Sequence, residues 1–203
     1  MLFIMKYPLE QYLPKFPRTK HLPFEPNAER DDLIVSEEEA QIIFDSDNVY
    51  VEEKIDGANS GFTIFDGEPL VRNRTHILRK GYDGKRSVGK LQFAPAWNFY
   101  YENQDKFQDL FEYLGETVGI YGEWMYLTHG IRYDELPSFF MPFDMYHPEK
   151  QTWIDTGKVR EAAEIAGFAT LPLLWKGKVK SYEQLYAMTQ EKSAYCNDRR
   201  EGV

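Results

Sequence analysis

The chain has 203 residues, a length that suits one large domain or two small ones. Hydrophobic residues make up 42% of the chain and aromatic residues 16%, which excludes a disordered or fibrous protein. One cysteine excludes an internal disulfide framework, and no apolar run approaches the ~20 residues of a membrane span. We therefore expect a cytoplasmic protein, with the nucleus left open, and no membrane partner.

The proline distribution and helix-capping patterns predict the helical part of the fold. Residues 1–30 contain five of the eleven prolines, which favours an extended lead-in over a helix. Caps and apolar residues at helical spacing predict four helices further along. These cover Glu37–Phe44 (capping box Ser36 and Glu39), Phe93–Leu114 (closed by Gly115), a segment from Asp155 or Thr156 to Gly167, and Ser181–Met188.

Strands are predicted where β-branched and aromatic residues concentrate between turn residues. They are Asn48–Ile55, Ser60–Phe65, Pro69–Arg74, Thr117–Tyr126, Phe139–Tyr146 and Leu171–Trp175. Asp66-Gly67 is a hairpin signal between the second and third strands. Hairpins dominate the middle of the chain, which indicates an α+β fold with antiparallel sheets flanked by helices. We expect one domain over residues 31–203 after a lead-in of residues 1–30.

The net charge of −9 is unevenly distributed along the chain. The segment 72–90 carries seven bases and one acid, whereas residues 25–47 carry nine acids and one base. A charge run is usually a solvated face, but the basic segment could also be an anion site for a nucleotide or a nucleic-acid end. Its candidate contacts to phosphate or RNA are Arg72, Arg79 and Lys80.

Lys54 stands at the end of a predicted strand, in the run Glu53-Lys54-Ile55-Asp56-Gly57-Ala58-Asn59. A lysine between two acids is most simply half of a surface ion pair. Alternatively its amine is a nucleophile, which requires desolvation or nearby positive charge to keep it neutral. Gly57 would then let a phosphate approach the backbone, and Asn59 would present its amide to the same cleft.

The run Lys54-Ile55-Asp56-Gly57 resembles the KxDG signature of covalent nucleotidyltransferases, the superfamily of ATP-dependent RNA and DNA ligases and mRNA capping enzymes. Further motifs follow in the order typical of the RNA ligase branch. They are Asn59, Arg74-Thr75, Tyr121-Gly122-Glu123-Trp124, Phe143-Asp144 and Glu201-Gly202-Val203. The resemblance implies an ATP-grasp-like nucleotidyltransferase fold and an adenylation domain over residues 31–203.

The resemblance also implies a reaction and a role for each motif residue. Lys54 takes AMP from ATP with the help of Mg²⁺ and passes it to the 5′-phosphate of an RNA end, after which a 3′-hydroxyl seals the strand. The implied nucleotide-binding residues are Glu53 at the adenine amino group, Asn59, Arg74 over the ribose, Glu123 at the ribose hydroxyls, Phe143 on the adenine ring, and Glu201 at the metal and phosphates.

Structural interpretations of the same residues stay open. Phe143 lies in an apolar run and could be core, and Glu123 could be on the solvent face of a strand. Glu53 could pair with a surface base such as Lys80. Three other functions also remain: an ATP-dependent DNA ligase or capping-type nucleotidyltransferase, a catalytically impaired nucleotide or nucleic-acid binding module, and a structural protein in which KIDG is chance.

The last matching motif is Glu201-Gly202-Val203, and the sequence ends within it. In the family the chain continues into a strand with two lysines that contact the α-phosphate. These lysines supply charge that stabilises the transferring phosphoryl group. We therefore expect a nucleotidyltransferase domain that is incomplete at its C-terminus, with weak ATP binding and slow or no adenylation by the 203 residues alone.

Overall fold

The structure is a computed structural model that describes residues 9–22, 33–78, 80 and 88–203. These residues divide into two compact units. The first comprises residues 9–16, 57–78, 80, 88–127 and 137–170, and the second comprises residues 17–22, 33–56, 128–136 and 171–203. Residues 9–16 of the lead-in belong to the first unit and residues 17–22 to the second.

The secondary structure follows the predicted order of elements. The described helices are a 3₁₀ turn at Leu9–Gln11, α1 Glu37–Asp45, α2 Val88–Phe93, α3 Ala96–Glu102, α4 Gln104–Leu114, α5 Thr156–Ile165 and α6 Tyr182–Thr189. The described strands are β1 Val49–Glu52, β2 Ala58–Phe65, β3 Glu68–Asn73, β4 Ile77–Leu78, β5 Gly119–Trp124, β6 Phe140–His147, β7 Thr152–Trp153 and β8 Leu173–Gly177. All pairings between these strands are antiparallel, which confirms the α+β prediction. None of the described helices is long and apolar enough to cross a membrane.

A six-stranded sheet with the order β4-β3-β2-β5-β6-β7 forms the centre of the first unit. The β2–β3 turn has positive φ angles at Asp66 and Gly67, as a two-residue hairpin requires. Phe62, Ile120 and Trp124 lie on one face of the sheet and form a buried core with residues of α3, α4 and α5. The opposite face, reached by the alternate residues of β2 and β5, carries two of the predicted nucleotide-binding residues, Asn59 and Glu123.

The lead-in segment 12–16 lies on that opposite face. Leu13 is fully buried. Its Cδ1 lies 3.2 Å from the position that a Cβ on Gly61 would occupy and 3.1 Å from the position of a Cβ on Gly119. The Tyr121 hydroxyl donates to the Pro14 carbonyl at 2.5 Å. The absence of side chains at the two glycines therefore makes room for Leu13, and the segment is part of the packed unit.

One predicted helix is divided in the structure. The segment predicted as Phe93–Leu114 is interrupted twice. α2 ends at Phe93 and α3 begins at Ala96, and the second break falls at Asn103, whose φ of −120° leaves the helical region between α3 and α4. The Asn103 side chain donates from Nδ2 to the Phe99 carbonyl at 2.8 Å. Asparagine competes with the helix for backbone partners in this way, which apolar spacing alone does not reveal. The predicted end at Gly115 is confirmed, with φ of 74°.

The second unit contains a two-stranded sheet of β1 and β8 and the helices α1 and α6. Val51, Val179 and Leu185 form its small buried core. The predicted capping box of α1 is present, with Ser36 and Glu39 exchanging hydrogen bonds. β1 ends at Glu52, two residues before Lys54, rather than continuing to Ile55 as predicted.

Candidate active site

Lys54 lies in the second unit, directly after β1, beside the C-terminal segment of the chain. Its backbone N–H donates to the Gly202 carbonyl at 3.0 Å, and this pairing brings residue 201 next to it. The Lys54 ammonium donates to Glu201 Oε1 and forms an ion pair with it. The Lys54 side chain is 44% exposed. Two motif residues that are 147 positions apart therefore meet at one point.

The second carboxylate oxygen of Glu201 suits a metal ligand. Oε2 is buried and has no hydrogen-bond partner among the described residues. No group of three or more His, Cys, Asp or Glu side chains within the described part of the chain could hold a metal ion. A cation at Glu201 would therefore have one protein ligand and complete its shell with phosphate and water oxygens, which is how Mg²⁺ commonly binds beside nucleotides. The residues present fit that ion.

Glu53 occupies a different environment from the one predicted. Its side chain is 0% exposed, and it accepts hydrogen bonds from Ser193 Oγ at 2.5 Å and from the Ala194 N–H at 3.0 Å. Arg200 Nε lies 3.6 Å from its Oε2. Both oxygens are engaged inside the protein, so the alternative of a surface partner such as Lys80 is wrong. Contact with the adenine amino group stays a prediction.

Asp56 of the KIDG run anchors the loop 128–136, a role that was not predicted. Its Oδ2 accepts from the N–H groups of Gly130 at 2.5 Å and Ile131 at 3.2 Å, and its own N–H donates to the Tyr133 hydroxyl at 2.8 Å. Burial raises the pKa of Tyr133 to about 12. The sequence does not reveal that these two backbone N–H groups contact the Asp56 carboxylate, because they are 74 and 75 positions away from it.

Asn59 and Glu123 lie side by side in the first unit. They are direct partners in the β2–β5 ladder, on the sheet face opposite the core residues Ala58 and Trp124. Asn59 Oδ1 is buried without a hydrogen-bond partner among the described residues, and Glu123 Oε1 accepts from the Gly57 N–H at 3.1 Å. An unused amide oxygen beside a carboxylate forms an arrangement that can accept donors from a polar ligand.

Phe143 is a half-buried side chain outside the core cluster of the first unit. The β5–β6 register shifts at this point, so Pro142 and Asp144 have partners in β5 while Phe143 is the extra residue. Its ring packs edge-on against Phe16, with 5.3 Å between centroids and an interplanar angle of 74°. Phe143 is therefore not part of that core cluster, and stacking on adenine stays a prediction.

The bases of the segment 72–90 separate into different environments. Arg72 is 1% exposed and donates to the carbonyls of Leu13 at 2.5 Å and Asn73 at 3.2 Å, so its guanidinium is engaged inside the first unit and its contact with phosphate stays a prediction. Arg74 is exposed at the turn after β3. Lys80 donates to the Tyr101 hydroxyl at 2.9 Å and lies 4.3 Å from the centre of its ring. Arg79 falls outside the described residues.

Gly57 is required by packing within the first unit. A Cβ at this position would lie 2.9 Å from the Trp124 carbonyl oxygen and would collide with the Met125 sulfur. The glycine therefore permits the start of β2 to approach β5. This close approach is also what lets the Gly57 N–H reach Glu123, so the turn residue of the KIDG run helps to orient a predicted ribose-binding carboxylate.

Several solved structures share this fold. A Naegleria gruberi RNA ligase with PPi matches with a TM-score of 0.61 and 19% identity, over 80% of this chain and 47% of that chain. A mutant of the same enzyme with ATP and Mn matches with a TM-score of 0.58 and 18% identity, over 77% of this chain and 45% of that one. The chain thus spans about half the length of the solved structures it matches. No curated protein matches it.

The comparison with family sequences covers most of the chain. The family model for RNA ligase matches residues 47–203, which include the KIDG run and the C-terminal Glu201-Gly202-Val203 motif. This match agrees with the resemblance seen in the ordered motifs, and with a fold shared with a solved RNA ligase. The chain therefore belongs to the RNA ligase family.

Proposed function

We propose that this chain is the adenylation domain of an ATP-dependent RNA ligase, with Lys54 as the residue that becomes covalently linked to AMP. The observation that carries the proposal is the meeting of Lys54 with Glu201, two motif residues from opposite ends of the matched region. The solved Naegleria relatives with ATP and Mn, and with PPi, support an ATP-using reaction that releases pyrophosphate.

In the first step the Lys54 ammonium gives up a proton to solvent and its ion pair with Glu201, and the neutral amine attacks the α-phosphorus of ATP. A nitrogen–phosphorus bond forms, the bond from phosphorus to the bridging oxygen breaks, pyrophosphate leaves, and the amine loses a proton to solvent. Glu201 would hold Mg²⁺, which when bound offsets phosphate charge and orients the leaving group. Glu201 thus has two tasks: it holds the Lys54 amine in place before ATP binds, and its buried Oε2 is directed to a cation.

The first unit supplies the residues proposed to bind the nucleoside. Glu123 is oriented by the Gly57 N–H, and a carboxylate held in this way can accept from two ribose hydroxyls. Asn59 offers an unused buried oxygen next to it. Phe143 presents a half-buried ring that is supported on one side by Phe16, which suits stacking on adenine. Arg74, exposed at the end of β3, is proposed to contact the ribose.

In the later steps the AMP moves from Lys54 to the 5′-phosphate of an RNA strand, and a 3′-hydroxyl attacks the resulting pyrophosphate linkage and releases AMP. Selection of RNA over DNA would depend on the 2′-hydroxyl and on strand geometry rather than on base edges. The partners proposed are therefore RNA ends, one with a 5′-phosphate and one with a 3′-hydroxyl.

A transfer assay tests this function. The chain is incubated with Mg²⁺ and ATP or GTP, together with matched 5′-phosphorylated RNA or DNA strands, and the strands are separated by electrophoresis. We expect an adenylated RNA strand with ATP that is absent for Lys54→Ala. Lys54→Arg should also fail, because its guanidinium stays protonated. A product that requires GTP would indicate a capping-type enzyme, a preference for DNA would indicate a DNA ligase, and no transfer to any strand would contradict the proposal.

A further inference from the structure

The second unit contains two ion pairs that are formed by consecutive residues of the same two segments. Glu53 pairs with Arg200, and the next residues, Lys54 and Glu201, pair with each other. The two pairs differ in burial: Glu53 is 0% and Arg200 10% exposed, whereas Lys54 is 44% and Glu201 25% exposed. A buried pair therefore stands directly beside the open pair that holds the proposed nucleophile.

Arg200 is held by several partners at once. Its Nη1 donates to the Met188 carbonyl at 2.6 Å and to Glu191 Oε2 at 3.0 Å, while Nε faces Glu53 at 3.6 Å. Its backbone N–H donates to the Glu191 carbonyl at 3.2 Å. The guanidinium thus places Nη1 on two acceptors while Nε lies beside Glu53 as an ion pair without a hydrogen bond, an extended arrangement that the single compact ammonium of a lysine does not reproduce. Both the side chain and the backbone of residue 200 are thereby located in space.

Glu53 is held from its other side. Ser193 Oγ and the Ala194 N–H donate to its two oxygens, so the carboxylate has a partner for each oxygen besides Arg200. Buried charges are costly unless they are paired and hydrogen-bonded, and removing one partner leaves the other uncompensated. A buried Glu53–Arg200 pair therefore resists displacement of the segment 193–202 relative to the end of β1.

We propose that Glu53 and Arg200 are positioning residues that hold Glu201 against the Lys54 amine. Because Arg200 and Glu201 are adjacent, any shift of the Arg200 backbone moves the Glu201 carboxylate with it. A misplacement of about 1 Å at a reacting group can cost ~10²-fold in rate. The positioning is a property of the structure alone; its effect on adenylation rests on the proposed function.

The test measures positioning without ATP. Folded protein is treated briefly with an amine-directed acylating reagent, and labelling of each lysine is quantified by peptide mass spectrometry. The Glu201→Gln variant, in which Lys54 has lost its ion pair, gives the labelling level expected for a released Lys54. The exposed Lys176 serves as internal reference. We expect Arg200→Ala to raise Lys54 labelling several-fold, towards the Glu201→Gln value. Arg199→Ala is the matched control, since Arg199 is the exposed neighbour whose Nη1 donates to Gln190, and it should leave labelling unchanged.

Two further variants keep the inference testable if Arg200→Ala unfolds. Arg200→Lys retains the charge but not the separate donors, and Glu53→Gln retains the shape but not the charge; both should give intermediate Lys54 labelling with a native circular dichroism spectrum. In the adenylation assay the same variants should lose ~10-fold to ~10²-fold in rate while the dissociation constant for ATP changes less than about two-fold.

The outcomes separate the two proposals. Lys54 labelling that stays at the wild-type level in folded Arg200→Ala, Arg200→Lys and Glu53→Gln would overturn the positioning role. Weaker ATP binding by Glu53→Gln with unchanged labelling would overturn it as well, and would return Glu53 to the adenine. Labelling that rises as expected in a protein that never forms an adenylate would support positioning while the proposed function fails.

Discussion

Replacing Phe143 by alanine distinguishes a base-stacking residue from a packing residue. The ring is half-buried, lies outside the core cluster, and has an aromatic contact with Phe16 at 5.3 Å. Loss of one aromatic pair costs about 0.5–1.5 kcal/mol, to which the partial loss of apolar burial adds a similar amount. We therefore expect the free energy of unfolding to fall by about 1–3 kcal/mol. This is less than the roughly 3–5 kcal/mol lost when a fully buried phenylalanine is replaced by alanine.

The effect on ATP binding should be separate from this loss. Removing an aromatic–base stack costs about 1–3 kcal/mol, which corresponds to a dissociation constant for ATP raised by roughly 5-fold to 150-fold. Leucine at the same position should retain part of the affinity through apolar contact. Both quantities are measured on one preparation, by isothermal titration calorimetry with ATP and by urea unfolding.

Phe62→Ala is the matched control for this experiment. Phe62 is fully buried and packs against Phe107, Trp124 and Phe140, so its loss should cost about 3–5 kcal/mol of stability. The folded fraction of that variant should bind ATP as the parent does. The reasoning would be refuted if Phe143→Ala behaved in the same way, with a large loss of stability and an unchanged affinity per folded molecule.

Three further substitutions test particular contacts. Leu13→Ala should lower the free energy of unfolding by about 2–5 kcal/mol in urea, because the buried side chain fills the space above the sheet. Gly57→Ala should weaken ATP binding and lower the melting temperature together, because the new Cβ would displace the Trp124 carbonyl and with it Glu123. Tyr133→Phe should reduce the loss of stability at alkaline pH. Burial raises the pKa of Tyr133 to about 12, above the ordinary ~10, so the folded state keeps a proton that the unfolded state has lost. Its contribution is complete below pH ~10 and is lost as the pH rises towards ~12.

Each of these predictions has a result that would contradict it. A cost below about 1 kcal/mol for Leu13→Ala would mean that the lead-in is not packed on the sheet. Gly57→Ala with parent-like stability and affinity would show that β5 tolerates the added carbon. Urea midpoints measured at pH 9 and pH 11 that fall equally in Tyr133→Phe and the parent would show that the buried hydroxyl does not cause the alkaline loss.

Local patterns were sufficient to predict much of the secondary structure. The capping box at Ser36, the side-chain cap at Asp155 and the hairpin turn at Asp66-Gly67 are confirmed, because each depends on residues within a few positions of one another. The two-residue strands β4 and β7 were not predicted, since alternation cannot be seen over two residues. The break at Asn103 depends on a side-chain hydrogen bond that competes with apolar spacing.

Contacts between residues far apart in the sequence were not predicted. Arg72 was assigned to a phosphate, but it donates to a carbonyl 59 residues away in the lead-in. Glu53 was assigned to adenine, but its hydrogen-bond donors are 140 and 141 residues away. A charged side chain in a basic segment or beside a motif lysine is readily interpreted as functional. The sequence does not show which distant residues it contacts in the interior of the folded protein. The ordered motifs did single out Lys54 and Glu201, which are in contact in the structure. A family resemblance can bring distant residues into one predicted site, whereas apolar periodicity predicts only local structure.

The central claim is that Lys54 becomes linked to AMP, and the most direct measurement is peptide mass spectrometry after incubation with ATP and Mg²⁺. The account predicts a slowly accumulating adduct of one AMP per chain, acid-labile as a phosphoramidate, on the peptide that contains Lys54. The adduct should disappear when pyrophosphate is added, because the step is reversible. An adduct that persists in Lys54→Ala, or its complete absence from the parent after prolonged incubation while ATP remains bound, would contradict the account.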